Sequence, residues 1–261
     1  MLTGVVVVTA ALLALAGCGG GDGASSGDPD PSTSTSAQAA VETFSVLAGE
    51  GVPVDLDQLA ANIEERLAVA GHEDATAEVA GDRVTVDPGD GPLDRAAIED
   101  LVSTPGRLEM RPVLEVLPPD CEPTVPTGMS EVSTYPELDP DTGEPIACYE
   151  IAPSGITNDA IETAEVTRTG GAWLVNVVLT ESAIETFDGL TAACFSHDPS
   201  CSTGQVAIAV DGIVISAPNR TTPGNERDQV QINGTFDESE ATALAAAIDA
   251  EPLPTGLEIA G

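Results

Sequence analysis

Only two histidines, His72 and His197, occur in the 261 residues, and neither stands in the H-E-x-x-H frame that sets two imidazoles on one helix face for zinc. Ser216 lies in Ile215-Ser216-Ala217-Pro218, not in the Gly-x-Ser-x-Gly turn that exposes a nucleophile. A Ser-His-Asp set gathered from distant positions has no motif in its favour. All eight basic residues are arginine, so a phosphate-cradling G-x-x-x-x-G-K-[ST] loop is impossible. Asp139-Pro140-Asp141-Thr142-Gly143-Glu144 has the carboxylate density of a calcium loop. Its glycine falls one position early and no bidentate Glu closes it, so a solvated turn is expected. Paired carboxylates carry no information in so acidic a chain. This inventory points away from an enzyme, with no cofactor and no metal.

Five cysteines remain to be placed. Cys18 closes Leu15-Ala16-Gly17-Cys18, which resembles the lipobox of bacterial lipoproteins. That resemblance implies cleavage before Cys18 and a diacylglycerol on its sulfur, the small residues at 16 and 17 admitting the peptidase. Cys121, Cys148, Cys194 and Cys201 are then an even set in an exported chain, which favours two disulfides. Nearest-neighbour pairing, Cys121 with Cys148 and Cys194 with Cys201, is taken from the three connectivities. Each closure would supply about 2–4 kcal/mol by restricting the unfolded chain. Zinc is the alternative, but no C-x-x-C occurs and histidine is scarce.

The apolar run Val5 to Leu15 is too short to span a bilayer as a helix, and residues 1–17 read as an export signal. No Lys or Arg precedes Val5, a departure from the usual basic start. Residues 18–49 are mostly Gly, Ser, Thr, Asp and Ala and read as a flexible tether with a root-mean-square reach of roughly 30 Å. Folding is expected to start near Val52.

Hydrophobic residues make up 42% of the chain and aromatics only 3%, so the core must be built from Val, Ile, Leu and Ala. The formal charge of −36 repels phosphates and anionic lipid headgroups, which removes nucleic acid from the partners and limits membrane contact to a lipid anchor. The reading taken for this acidity is solubility in a salty medium. The alternative is an acidic face that attracts basic polypeptide segments.

Within residues 50–116, Leu56, Leu59, Ala60, Ile63 and Leu67 form a helical stripe that Gly71 ends. Short strands follow at Ala75 to Val79 and Arg83 to Val86, then a helix from near Pro92 with Leu93, Ala97 and Leu101 on one face. A strand from Arg107 to Val113 closes half of a ferredoxin-like unit. Residues 117–155 are a Pro-rich, acidic insertion. In residues 156–261, strands are expected at Ile161 to Val166 and Trp173 to Leu179. Thr180 caps a helix with Ala183, Ile184, Phe187 and Leu190 inside. Asp211-Gly212 joins two further strands through a type I′ turn, and Val230 and Ile232 mark another. Asp237 and Glu240 open a last helix whose stripe is Ala241, Leu244, Ala245 and Ile248, and Pro252 stops it. The fold class is α+β with antiparallel-rich sheets and packed helices.

Val210-Asp211-Gly212, Ser216-Ala217-Pro218, Ile232-Asn233-Gly234-Thr235-Phe236 and Leu253-Pro254, in this order and spacing, resemble the first periplasmic domain of SecD. The Leu108-Glu109-Met110-Arg111-Pro112-Val113 strand is similar to the same family, with Met110 in place of an aromatic. The resemblance implies a ferredoxin-like base half at 50–116 and a SecD-head-like subdomain at 156–261. It also implies contact with emerging preproteins or with the Sec translocon at the outer face of the cell membrane. On that reading the external domain is kept on a lipid anchor, without the membrane helices and without proton coupling of its own. Gln229, Val230, Gln231, Ile232 and Asn233, with the Ser182–Leu190 helix, are the expected polypeptide-binding elements, acting through a sheet edge or an apolar groove. The rival is an envelope lipoprotein that reuses the fold for another ligand or protein partner.

Overall fold

The computed structural model describes residues 43–49, 54–124, 131–153, 156–219 and 229–260. Cys18, the export signal and residues 18–42 of the expected tether lie outside them. Folded structure begins earlier than expected. Phe44–Ala48, assigned to the tether from its polar surroundings, is a strand, β1, with Phe44 and Val46 buried. The alternation of Phe44, Val46 and Ala48 is a strand pattern that the flanking composition hides.

Helix α1, Leu56–Val69, starts where the Asp55 carboxylate accepts the Asp57 and Gln58 amides. Its stripe Leu59, Ala60, Ile63 and Leu67 is buried as the spacing requires. It ends in a Schellman motif, with His72 N–H donating to Leu67 C=O and Gly71 N–H to Ala68 C=O. The hairpin β2, Thr76–Ala80, and β3, Arg83–Asp87, follows. Helix α2, Arg95–Ser103, begins three residues past Pro92 because the Asp94 side chain caps Ala97 N–H.

Strand β4, Leu108–Leu117, then leaves for another sheet. It was expected to complete the ferredoxin-like half. Its residues Leu108 to Val113 are all buried, so it needs cover on both faces, which a central position in a second sheet provides. The insertion is ordered where described. Strands β5, Ser133–Leu138, and β6, Pro145–Ile151, extend the sheet beside β4. Then come β7, Ile156–Thr157; β8, Ile161–Thr169; β9, Ala172–Leu179; helix α3, Glu181–Phe195; β10, Val206–Val210; β11, Ile213–Ser216; β12, Gln229–Phe236; helix α4, Glu238–Asp249; and β13, Leu257–Ala260.

The first sheet has the order β13-β1-β3-β2, all antiparallel. With α1 and α2 this is a complete β-α-β-β-α-β ferredoxin-like unit. Everything from β4 to α4 is inserted before its last strand, so β13, expected in the head, belongs to the base. The insert holds the sheet β11-β10-β4-β6-β5 and the three-stranded sheet β12-β9-β8. Helix α4 lies between the two halves. Ala246 and Ala247 pack in the base core with Leu101 and Ile63, whereas Ala241, Ala245 and Ile248 pack in the head core. Two buried faces explain its run of alanines, since larger side chains would hold the cores apart. Thr180 stands at the N-terminus of α3 but makes no side-chain cap, and Ile184 is only half-buried.

Candidate functional site

Two places concentrate polar and apolar groups that the fold brings together from distant parts of the chain. One is the junction where the chain leaves and re-enters the base. Arg66 of α1 is fully buried and donates to the carbonyls of Leu101 at 3.1 Å, Thr104 at 2.6 Å, Pro105, and Glu251 at 3.3 Å. Burial lowers its guanidinium to about 10, against the raising effect of nearby Asp211, and it remains charged at neutral pH. Leu253 N–H also donates to Pro105 C=O, so the two crossings lie side by side. The Asp211-Gly212 turn takes φ of 53° and 81°, the type I′ geometry expected. Its carboxylate accepts Gly106 and Arg107 N–H, both at 2.9 Å. Asn158 accepts Leu108 N–H and donates to Gly106 and Ile248 carbonyls. This cluster holds the two halves together; it is structural.

The other place is a groove of about 700 Å³. Strand β11 and the Ala217-Pro218 step after it form one wall. The end of β12 forms the facing wall, and the β5–β6 hairpin and the first turns of α4 complete it. Strand β11 ends the hydrogen-bonded order of its sheet but lies against β5, the sheet's other end, so the sheet edge that borders the groove is that of β12. The Ser216-Ala217-Pro218 and Gly234-Thr235-Phe236 motifs, eighteen positions apart in the chain, meet across it. The β12 register slips between Asn233 and Phe236, a bulge that turns Phe236 back over Gly234. A Cβ on Gly234 would stand 2.5 Å from the Phe236 ring, so a side chain there would push the ring from this position. Ile146 is half exposed in the groove, and Tyr149 donates its hydroxyl to Glu137 at 2.6 Å. Burial and Glu137 raise the Tyr149 pKa, so its hydroxyl stays a donor.

Of the expected binding strand, Val230 and Ile232 point into the head core and are buried, while Gln229, Gln231 and Asn233 are exposed. Asn233 alone of these five lines the groove. Gln229, Val230, Gln231 and Asn233 border a separate cavity of about 170 Å³, which Phe187 of α3 also reaches. The strand and the α3 helix therefore meet at that cavity rather than in the groove. The β5–β6 side of the groove was missed. Its sequence signal is two short β-prone strings, Val132-Ser133-Thr134-Tyr135 and Ile146-Ala147-Cys148-Tyr149-Glu150-Ile151, in a stretch that reads as Pro-rich loop.

The cysteines join as Cys121–Cys148 and Cys194–Cys201. The first ties the segment after β4 to β6, and the second ties the end of α3 to the approach to β10. His72 is buried, with Nδ1–H on Pro88 C=O and Nε2 accepting Leu93 N–H; both ring nitrogens are spent. His197 is exposed and bonds Ser202 C=O. The Asp139–Glu144 segment is a turn. Asp139 accepts the Thr142 and Asp141 amides at 3.0 Å, which hold its carboxyl below the usual range. Among the described residues no group of three or more His, Cys, Asp or Glu is placed to hold a metal. No described helix is long and apolar enough to cross a membrane.

The motifs that meet at the groove lie within one matched region. Residues 132–255 match the family model for the SecDF P1 head subdomain. The resemblance read from the motifs holds there. One similar solved structure is SecDF in a super-membrane-facing form, at 20% identity and TM-score 0.60, covering 84% of this chain and 29% of that one. Another is a SecDF chain described as a membrane component that enhances protein export, at 19% identity and TM-score 0.56, covering 84% of this chain and 98% of that one. Both likenesses establish the fold: mixed α+β with antiparallel sheets, in the manner of the SecDF periplasmic domain. The chain spans under a third of the length of the first of these. Comparison with curated proteins finds no match.

Proposed function

We propose that this chain is an extracytoplasmic accessory of Sec-dependent protein export, held to the membrane by a lipid on Cys18, that binds extended polypeptide in the groove between β11 and β12. The carrying observation is that the two SecD-like motifs, Ser216-Ala217-Pro218 and Gly234-Thr235-Phe236, form opposite walls of one open apolar groove bordered by the edge of β12. Such an edge supplies backbone hydrogen bonds that are indifferent to sequence, while the groove takes alternate side chains. The edge of β12, the Phe236 ring and the Ala217-Pro218 wall are the binding elements; the Gln229–Asn233 face contributes through Asn233. A small-ligand site also takes a cleft of about 300–1,000 Å³, a range that includes this groove of about 700 Å³. What favours the polypeptide reading is that the groove runs along strand backbone at the end of β12.

The test is photocrosslinking in cells from Ile215, Phe236 and Gln231 while a secretory protein is stalled in export. Crosslinks to the preprotein or the translocon from Ile215 and Phe236 are expected. A folded, exposed protein that crosslinks only to unrelated envelope proteins would remove the export role and leave the fold.

A further inference from the structure

We propose that the groove selects cationic apolar strands, extended segments in which Lys or Arg alternates with aliphatic or aromatic residues. This rests on the polypeptide-binding reading and names the class of segment bound. The groove's floor is apolar, with Ile215, Phe236 and Leu244 among its lining. Its rim is anionic. Glu137 from β5 and Glu240 from α4 line it directly. Asp139 and Glu144 stand in the β5–β6 turn, and Asp237 and Glu238 at the start of α4. Residues 131–153, 205–219 and 229–249, which supply every lining position, contain no Lys, Arg or His.

Both lining carboxylates are held in place before any ligand arrives. Glu137 accepts the Tyr149 hydroxyl, and Glu240 accepts Asp237 N–H at 2.8 Å in the capping box of α4. Holding them costs no ordering on binding. An extended chain directs successive side chains to opposite faces. When its apolar positions enter the floor, the residues between them face outward to the rim. A Glu or Asp there meets like charge, and a Lys or Arg meets opposite charge. The whole chain is acidic, so a diffuse field would favour any cation. The groove adds position: the selectivity belongs to these carboxylates rather than to the net charge.

Fluorescence anisotropy on the full chain tests this with three labelled peptides, each about nine residues long, alternating Val with Lys, with Ser or with Glu. The Lys peptide should bind at least about tenfold tighter than the Ser peptide at low salt, and the Glu peptide weakest. The preference should shrink toward unity near 1 M salt, where screening acts within roughly 3 Å. Glu137→Gln with Glu240→Gln keeps both hydrogen bonds and should weaken the Lys peptide several-fold while leaving the Ser peptide unchanged. A control pair on the exposed base sheet, Glu78→Gln with Glu258→Gln, should change neither. If the control pair weakens the Lys peptide equally, a diffuse field is responsible and the proposal is wrong. If all three peptides bind alike, charge selection fails and polypeptide binding stands. If none binds, the polypeptide reading falls with it.

Discussion

Replacing Arg66 by Met should uncouple the base from the inserted head, and its size can be worked from the contacts. Met retains most of the aliphatic stem and removes the guanidinium. Three carbonyls, of Leu101, Thr104 and Pro105, lose a charged donor at close range, and Glu251 loses a longer one. Hydrogen bonds to charged groups contribute roughly 1.5–3 kcal/mol each, so the three close ones represent roughly 5–9 kcal/mol. Against this, the cation is itself poorly solvated. A guanidinium lowered from 12.5 to about 10 is disfavoured by roughly 3 kcal/mol relative to water, and that cost disappears with it. The net expectation is a loss of about 2–6 kcal/mol. Arg66→Lys should fall between, because an ammonium has no planar fork to span Thr104 and Pro105 together. Urea unfolding of the full chain, followed both by far-ultraviolet circular dichroism and by Trp173 fluorescence, reads the loss and its location. Trp173 lies in β9 of the head. The two signals should coincide in the parent and separate in Arg66→Met, since Arg66 holds both crossings between the halves. A loss under about 1 kcal/mol with coincident transitions would refute the reasoning.

Three further outcomes follow from buried groups. The chain has two tyrosines; burial first, then Glu109, pushes Tyr135 up to about 12, and burial with Glu137 raises Tyr149. Because the folded values exceed the unfolded value near 10, stability is intact below pH 10 and falls as pH rises through 12, by about 2–3 kcal/mol from Tyr135. Near-ultraviolet absorbance should show no tyrosinate in the folded protein at pH 10, and Tyr135→Phe should flatten the slope. His72→Ala leaves Pro88 C=O and Leu93 N–H without partners, for a loss of about 2–4 kcal/mol in chemical denaturation. Gly106→Ala meets two costs: φ of 77° at the junction, and a Cβ 2.5 Å from Ala247 O and 2.8 Å from Arg66 Nη2. More than about 2 kcal/mol should be lost, about 1–2 of it from the backbone alone.

The local elements were readable because each rests on neighbours in sequence. The α1 stripe, the Asp237–Glu240 capping box and the Asp211-Gly212 turn are decided by spacings of a few residues. The motifs of the resemblance were legible for the same reason, each being a short string. The outlines of the groove were not. Tyr149 and Ile146 of β6 and Glu137 of β5 come from a segment whose prolines suggested loop, and those strands exist because β4 offers an edge to β6 and β6 in turn offers one to β5.

Sequence alone determined the α+β class, the acidic Lys-free surface, the type I′ turn and the two SecD-like motifs, since these need only composition and local spacing. Tertiary structure decided which elements share a sheet. Strand pairing is set by backbone bonds between residues far apart in the chain, which no local pattern encodes. It therefore placed β13 beside β1, carried β4 into the head, gave α4 two buried faces and brought Pro218 opposite Phe236 to form the groove.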